Sequence, residues 1–390
     1  MPNITGFLFA IIRLMDKKIV LVPMLAMAET SGPSSRMKLL KEGLTAEGFN
    51  VVTCDDLEVP LPMGLPAPVA TRMFPIAQKT GLTSRKTVNS FDEVLRLTGN
   101  LDYNYLRRSV NQLVDFKRKE KPDLVYSEFN ISAMIAAEVT GVKLCNAVSF
   151  PTQHEYANNP KLAGGLNKLL KELGLEQVES ALKLFEMADV AVCPSIYELE
   201  PFAREGIVYC GTLKKTEPEE KTRDKILVYM GNGTVSAKRT LSVVKEAFGG
   251  SPYQVYLASS YLEKLDEGNI HVAPRWDFNE LLDEAVLFIN HGGQNSVVDG
   301  LIHGVPQICV PGKVFERKFN AASVEKNNAG VSLDYSKFNA EVIRTKADEI
   351  LGSEAVRADA RALGQKLLAA GGVKVIAESI RNIDFSSVSL

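Results

Sequence analysis

The chain lacks most of the features that would commit it to a special environment. Its 390 residues include five cysteines, Cys54, Cys145, Cys193, Cys210 and Cys309, an odd number without paired spacing. Neither a disulfide framework nor a metal cluster is therefore expected. Four of the five sit in or beside apolar runs and read as small buried hydrophobes. The formal net charge is only -2, which gives no electrostatic reason to expect nucleic acid or an anionic membrane as partner. There is no heptad array, no internal repeat, no Walker lysine and no D-x-D motif. The N-terminal apolar run Gly6 to Ile12 is too short to span a bilayer. Its positive charges (Arg13, Lys17, Lys18) follow it instead of preceding it, and no small-residue cleavage site comes after, so it does not read as a secretory signal. A cytoplasmic location is expected, with residues 1–14 a disordered or loosely docked extension. A peripheral membrane anchor is the alternative.

What is present is ordinary for a soluble globular protein: 45% apolar and 24% charged residues, in a chain long enough for two cores. Short apolar runs alternate with amphipathic stretches. Lys18–Val22, Val51–Thr53, Leu124–Ser127, Val142–Val148 and Val190–Cys193 read as strands, and Ser34–Glu47, Tyr103–Lys119 and Ala181–Met187 have helical spacing. Residues 58–90 carry five prolines (Pro60, Pro62, Pro66, Pro68, Pro75) and read as a loop-rich insertion where helix is not expected. Lys214 to Asp224 is charged, has one proline and no apolar residue, and reads as a linker. Strand-like runs then resume at Ile226–Met230, Gln254–Ala258, Ile270–Val272, Ala285–Ile289 and Ile308–Val310. Two such series predict an α/β protein of two doubly wound, Rossmann-like domains facing a central cleft. The boundaries expected are 15–213 and 225–372 for the domains, 214–224 for the linker and 373–390 for a C-terminal segment.

The most informative stretch is Phe288-Ile289-Asn290-His291-Gly292-Gly293-Gln294-Asn295-Ser296. An apolar strand runs into two glycines and then a short helix closed by Gly304-Val305-Pro306. Glycines at a strand–helix junction let backbone amides approach a ligand closely. The first helical turn adds unpaired N–H groups and the positive end of the helix dipole, which suits a diphosphate.

Together with Asp299, Pro311 and Phe319-Asn320-Ala321, this succession resembles the family 1 nucleotide-sugar glycosyltransferases, the bacterial macrolide-type branch above all. The resemblance implies the two-domain fold called GT-B, with the donor held mainly by the C-terminal domain. It assigns His291 to the α-phosphate, and Gly292, Gly293, Gln294, Asn295 and Ser296 to the diphosphate turn. Asp299 falls where the family's carboxylate accepts both ribose hydroxyls. Glu316 and Arg317 stand where an acidic residue and a glutamine usually read the donor sugar, and the charged fork of Arg317 leaves the sugar open. Gly231, Asn232, Gly233 and Thr234 resemble the family's glycine-rich loop. Trp276 lies where the nucleotide base is held, although a plain core tryptophan reads equally well.

The first half departs from the pattern. The family carries Gly-His after the opening strand, the histidine being the general base. Here Thr30-Ser31-Gly32-Pro33-Ser34-Ser35-Arg36 puts Pro33 at that place, and proline moves no proton. Glu128, matching the carboxylate that orients the missing histidine, is the first candidate base if burial raises its pKa, with capping of the next helix as the alternative. Glu29 and His154 are the other candidates. Met63, Phe74 and Phe91 are candidate linings of an acceptor pocket. The resemblance implies inverting, metal-independent transfer of a hexose-type sugar from a UDP- or dTDP-sugar to a hydroxyl of a small apolar or lipid-like acceptor, with no cofactor. A non-catalytic nucleotide-sugar-binding subunit and a nucleotide-sugar epimerase on the same fold are the alternatives.

Overall fold

A computed structural model of the protein describes residues 17–26, 31–55, 57–79, 87–231 and 235–386, and within these the side chains of all but 31–33, 74–75 and 77–79. The expected extension 1–14 and the candidate Glu29 lie outside the described residues. The first sheet contains β1 (Lys18–Pro23), β2 (Asn50–Thr53), β3 (Leu124–Glu128), β4 (Lys143–Ala147), β5 (Val190–Cys193) and β6 (Ile207–Tyr209) in the order β2-β1-β3-β4-β5-β6. All its pairs are parallel. The second contains β7 (Lys225–Tyr229), β8 (Gln254–Ala258), β9 (Leu265–Glu267), β10 (Ile270–Ala273), β11 (Ala285–Asn290), β12 (Gln307–Cys309) and β13 (Gly330–Ser332). Their order is β13-β12-β11-β7-β8-β10-β9, parallel except for the β9–β10 pair.

Helices cover both faces of each sheet, which is why the central strands read as continuous apolar runs instead of alternating. Ile226, Leu227 and Val228 of β7 are all fully buried, as are Leu287, Phe288 and Ile289 of β11. Each sheet has its own apolar cluster. The closing helix Gly372–Arg381 buries Ile376, Ala377 and Ile380 in the cluster of the first sheet, and its Arg381 bonds the Glu47 carbonyl at 2.7 Å. Residues 214–224, by contrast, have no regular secondary structure.

Three details differ from the sequence reading. The insertion holds a helix, Ala67–Lys79. Pro68 falls in its first turn, where the missing N–H would have had no helical partner anyway. Ala181–Glu186 is a 3-10 helix, too short to develop an α-helical face. The three-residue strands β6, β9 and β13 are not among the runs read from sequence, whereas β12, equally short, overlaps the apolar run Ile308–Val310. All five cysteines are buried, as expected of small apolar side chains. Among the described residues no helix is long and apolar enough to cross a membrane.

Candidate functional site

In doubly wound sheets ligands collect beyond the carboxyl ends of strands where the strand order reverses. In the second sheet that point lies between β7 and β11, whose last residues Tyr229 and Asn290 are paired. Gly231 and His291 thus emerge side by side. The turn that follows is braced from below. Buried Asn290 accepts from the Gly292 N–H at 2.8 Å and donates to Gln307 at 2.7 Å. Asn320, reaching from the helix Phe315–Lys326, donates to the Gly292 carbonyl at 2.9 Å.

Both glycines are needed, for different reasons. Gly292 has φ +77, and a Cβ there would lie 2.8 Å from the Arg317 carbonyl oxygen. At Gly293 the Cβ would fall 2.6 Å from His291 Nε2. Gly293 also caps the helix Gln294–Ile302 without a side-chain acceptor. The first helical hydrogen bond of this group is Val297 N–H to Gly293 at 3.0 Å, so the N–H groups of Gln294, Asn295 and Ser296 precede the ladder. Backbone amides arranged this way can cradle an anion.

The His291 ring stands edge-on to Tyr229, with Nδ1 3.4 Å from the Tyr229 carbonyl. Burial, reinforced by the nearby Arg317 guanidinium, pushes its pKa down to about 3, so the free ring is neutral at pH 7. Arg317 itself is held below the usual arginine range by burial. Ser296 is buried in the first turn. Asp299, one turn on, is already paired: Lys214, at the start of the interdomain segment, reaches it at 2.6 Å. The sequence gives no sign of this bond, which couples the expected ribose carboxylate to the linker. Glu316 is half-buried, with Asn320 Nδ2 3.5 Å from its carboxylate. Trp276 donates its indole N–H to the Leu257 carbonyl at 3.2 Å and packs edge-on to Tyr256, leaving the indole half-exposed at the edge of the site. Asn232, Gly233 and Thr234 lie outside the described residues.

The first sheet presents its own switch point, where the ends of β1 and β3 pair Pro23 with Glu128. Glu128, the first candidate base, is buried here and ion-paired. Its side chain is 1% exposed and its Oε1 accepts from Arg36 Nε at 2.5 Å. Burial raises its pKa and the Arg36 charge opposes that rise. A carboxylate so engaged first has to release a guanidinium before it can take a proton from an acceptor. The alternative, capping of the next helix, falls to Asn130, whose side chain accepts from the Ala133 N–H at 3.0 Å. His154 is also committed, to Glu155, Glu179 and Glu186 at 2.9, 3.2 and 3.1 Å, all in its own half of the chain. Among the described residues, His154, Glu155 and Glu186 form the one group that could hold a metal ion, and no bond ties it to the cradle. Of the acceptor-pocket candidates, Phe91 packs against Phe129 and Phe185, Met63 is exposed, and the Phe74 side chain lies outside the described residues.

Sequence reasoning missed two residues that the fold brings to the cradle. Arg36 extends from the helix Ser31–Ala46, past Glu128, to Asn295 Oδ1 at 3.0 Å and Gln294 Oε1 at 3.4 Å. Buried Glu200 accepts from Gln294 Nε2 at 2.6 Å and from the Phe150 N–H at 2.8 Å. Burial, with Glu316 adding to it, lifts the Glu200 pKa to about 7. No local motif marks Glu200, because its partner is 94 positions away. Phe150 stacks on Phe319 with ring centroids 4.0 Å apart, and a main-chain bridge joins Val88 to Val314. The two halves therefore meet directly over the cradle.

Residues 259–383 match the family model for the C-terminal domain of erythromycin biosynthesis protein CIII-like proteins. The solved glycotransferase of kitacinnamycin superposes with a TM-score of 0.69, covering 93% of this chain and 98% of that one at 17% identity, which shows the shared fold. The NDP-glycosyltransferase YjiC of Bacillus licheniformis is 26% identical over 298 residues, 69% of this chain and 74% of that protein. The chain has the two-domain GT-B fold, and its C-terminal half is similar to nucleotide-sugar glycosyltransferases. The uncharacterized UDP-glucosyltransferase YdhE of Bacillus subtilis is similar to this GT-B chain over a shorter stretch. There, 28% identity over 160 residues covers 39% of this chain and less than half, 40%, of YdhE.

Proposed function

We infer that this protein transfers a hexose-type sugar, with inversion, from a UDP- or dTDP-sugar to the hydroxyl of a small apolar or lipid-like acceptor. The observation that carries the reading is the backbone cradle at Gly292–Ser296, with a neutral histidine and an unladdered helical turn converging on one anion-sized place. In the reaction the acceptor oxygen forms a bond to the anomeric carbon while the carbon–oxygen bond to the β-phosphate breaks. The electron pair leaves with the diphosphate. The helix N-terminus, Ser296 and a donor N–H of His291 neutralise that growing charge, and such preorganised donors act with most effect where water is excluded. A neutral His291 serves this purpose by carrying its proton on Nε2, which gives up only a long contact at Nδ1.

Asp299 takes the ribose hydroxyls beside its Lys214 bond, Trp276 offers a ring edge or face to the base, and Glu316 with Arg317 faces the sugar. The donor is held by protein groups alone in this reading, with no cofactor. Glu128 and His154 are both engaged and Glu29 lies outside the described residues, so in this reading departure of the diphosphate leads the reaction. The acceptor hydroxyl is then one acidic enough to release its proton to water, of phenolic type. The test is incubation with a panel of UDP- and dTDP-sugars, with and without phenolic and aliphatic acceptors. Slow donor hydrolysis and faster transfer to phenols support a transferase. Donor binding with no turnover marks an auxiliary subunit, and a new sugar isomer marks an epimerase.

A further inference from the structure

We propose that Arg36, delivered from the N-terminal domain, binds the donor diphosphate across the cleft, and that Glu128 is its positioning residue. This rests on the donor-site reading above. The guanidinium has three nitrogens and the structure divides them. Nε is fixed on Glu128 at 2.5 Å, while Nη1 rests on two neutral amide oxygens, Asn295 at 3.0 Å and Gln294 at 3.4 Å. These amides belong to the first two residues of the cradle helix. A cation beside a helix N-terminus sits at the wrong end of the dipole. Arg317 adds a second guanidinium close enough to depress the pKa of His291. Two guanidinium groups and a helix N-terminus thus converge; of the nearby carboxylates Glu128 holds one nitrogen of the Arg36 fork, Glu200 is bonded to Gln294, and half-buried Glu316 lies close enough to act on both guanidinium groups. An arriving phosphate competes only with amide oxygens for the outer edge of Arg36, and charge-assisted bonds to phosphate are the stronger.

The support beneath Arg36 is specific. Phe129, the residue after Glu128, has φ +59, a left-handed conformation that is unfavourable for a non-glycine residue. That conformation carries its ring to 5.6 Å from the guanidinium carbon. Glu128 and Phe129 together hold the stem, leaving the tip to face the cradle. The arrangement also gives the segment that has Pro33 in place of the family's histidine a different use. Where the family moves a proton from the acceptor, this chain brings positive charge to the leaving group.

Calorimetry with UDP and dTDP, and with uridine and thymidine as diphosphate-free controls, tests this on wild type, Arg36→Gln, Arg36→Lys and the double variant Arg36→Gln/Glu128→Gln. The double variant removes the carboxylate that the single one strands in the core, so it keeps the test open if Arg36→Gln fails to fold. The diphosphates are expected to bind about 10- to 100-fold more weakly in both glutamine variants, the range for a bond to a charged group. Nucleoside affinity should stay within twofold, and Arg36→Lys should recover part of the loss. Diphosphate affinity within threefold of wild type in the glutamine variants overturns the proposal. So does an equal loss for diphosphate and nucleoside, which marks a structural brace. Wild type that binds neither diphosphate overturns the donor-site reading itself, whereas wild type that binds while the variants bind equally well overturns only the role of Arg36.

Discussion

The adjacent glycines of the cradle allow a prediction that separates folding from function. At Gly292 two penalties coincide: φ is +77, and an added Cβ would sit 2.8 Å from a backbone carbonyl that side-chain motion cannot relieve. The conformational part alone is about 1–2 kcal/mol. For a domain of this size each kcal/mol lowers the melting temperature by about 2–4 °C. Gly292→Ala should therefore melt about 2–8 °C below wild type. Gly293 has φ -67, which any residue adopts, and its added Cβ would meet only the far end of the His291 ring, 2.6 Å away. That ring can swing aside at little cost to folding. Gly293→Ala should melt within about 2 °C of wild type, since the loss at an N-cap and the gain from a stiffer unfolded chain are both under about 1 kcal/mol. Yet the swing moves His291 off the diphosphate, and losing one preorganised donor typically costs about 10²–10³ in rate. Thermal melts read beside donor hydrolysis check both halves. Gly293→Ala with turnover within a few-fold of wild type would refute the placing of the diphosphate, and an unchanged melting temperature for Gly292→Ala would refute the strain argument.

Two further outcomes follow from the same geometry. Asp299→Asn should weaken UDP binding and weaken 2′-deoxy-UDP binding less, since one hydroxyl contact is already gone. Equal losses in calorimetry would mean that Asp299 serves only its 2.6 Å bond to Lys214. Glu200 has a native pKa of about 7 against an ordinary 4.5, so between those values the folded protein holds a proton that the unfolded chain releases. Stability should accordingly fall as pH rises from about 4.5 to about 7, by about 3 kcal/mol from this group. Urea denaturation at pH 5 and pH 8 should show that difference in wild type and lose it in Glu200→Gln, and identical pH dependence in the two proteins would count against the assignment.

The sequence by itself determined the fold class and the strand–glycine–helix turn that is proposed to hold the donor. The reason is locality. A parallel strand buried on both faces must be a short apolar run, and a diphosphate turn must be a glycine pair between strand and helix. Both requirements fall on consecutive residues, so β11, Gly292, Gly293 and the helix Gln294–Ile302 are legible in one line of sequence. Of the three-residue strands, β12 overlaps the run Ile308–Val310 that reads as a strand, whereas β6 and β13 were not legible, since three positions carry no period of their own.

What only the tertiary structure decided is which side chains meet across the cleft. Glu128 looks like a base beside a missing histidine until the fold sets Arg36, 92 positions earlier, against it. Gln294 meets Glu200 over 94 positions, and Asp299 meets Lys214 over 85. None of these pairs has a spacing that sequence periodicity can register. The pKa values of Glu128 and Glu200 depend on burial and on those distant partners, and both exist only once the two sheets have turned their carboxyl ends toward each other.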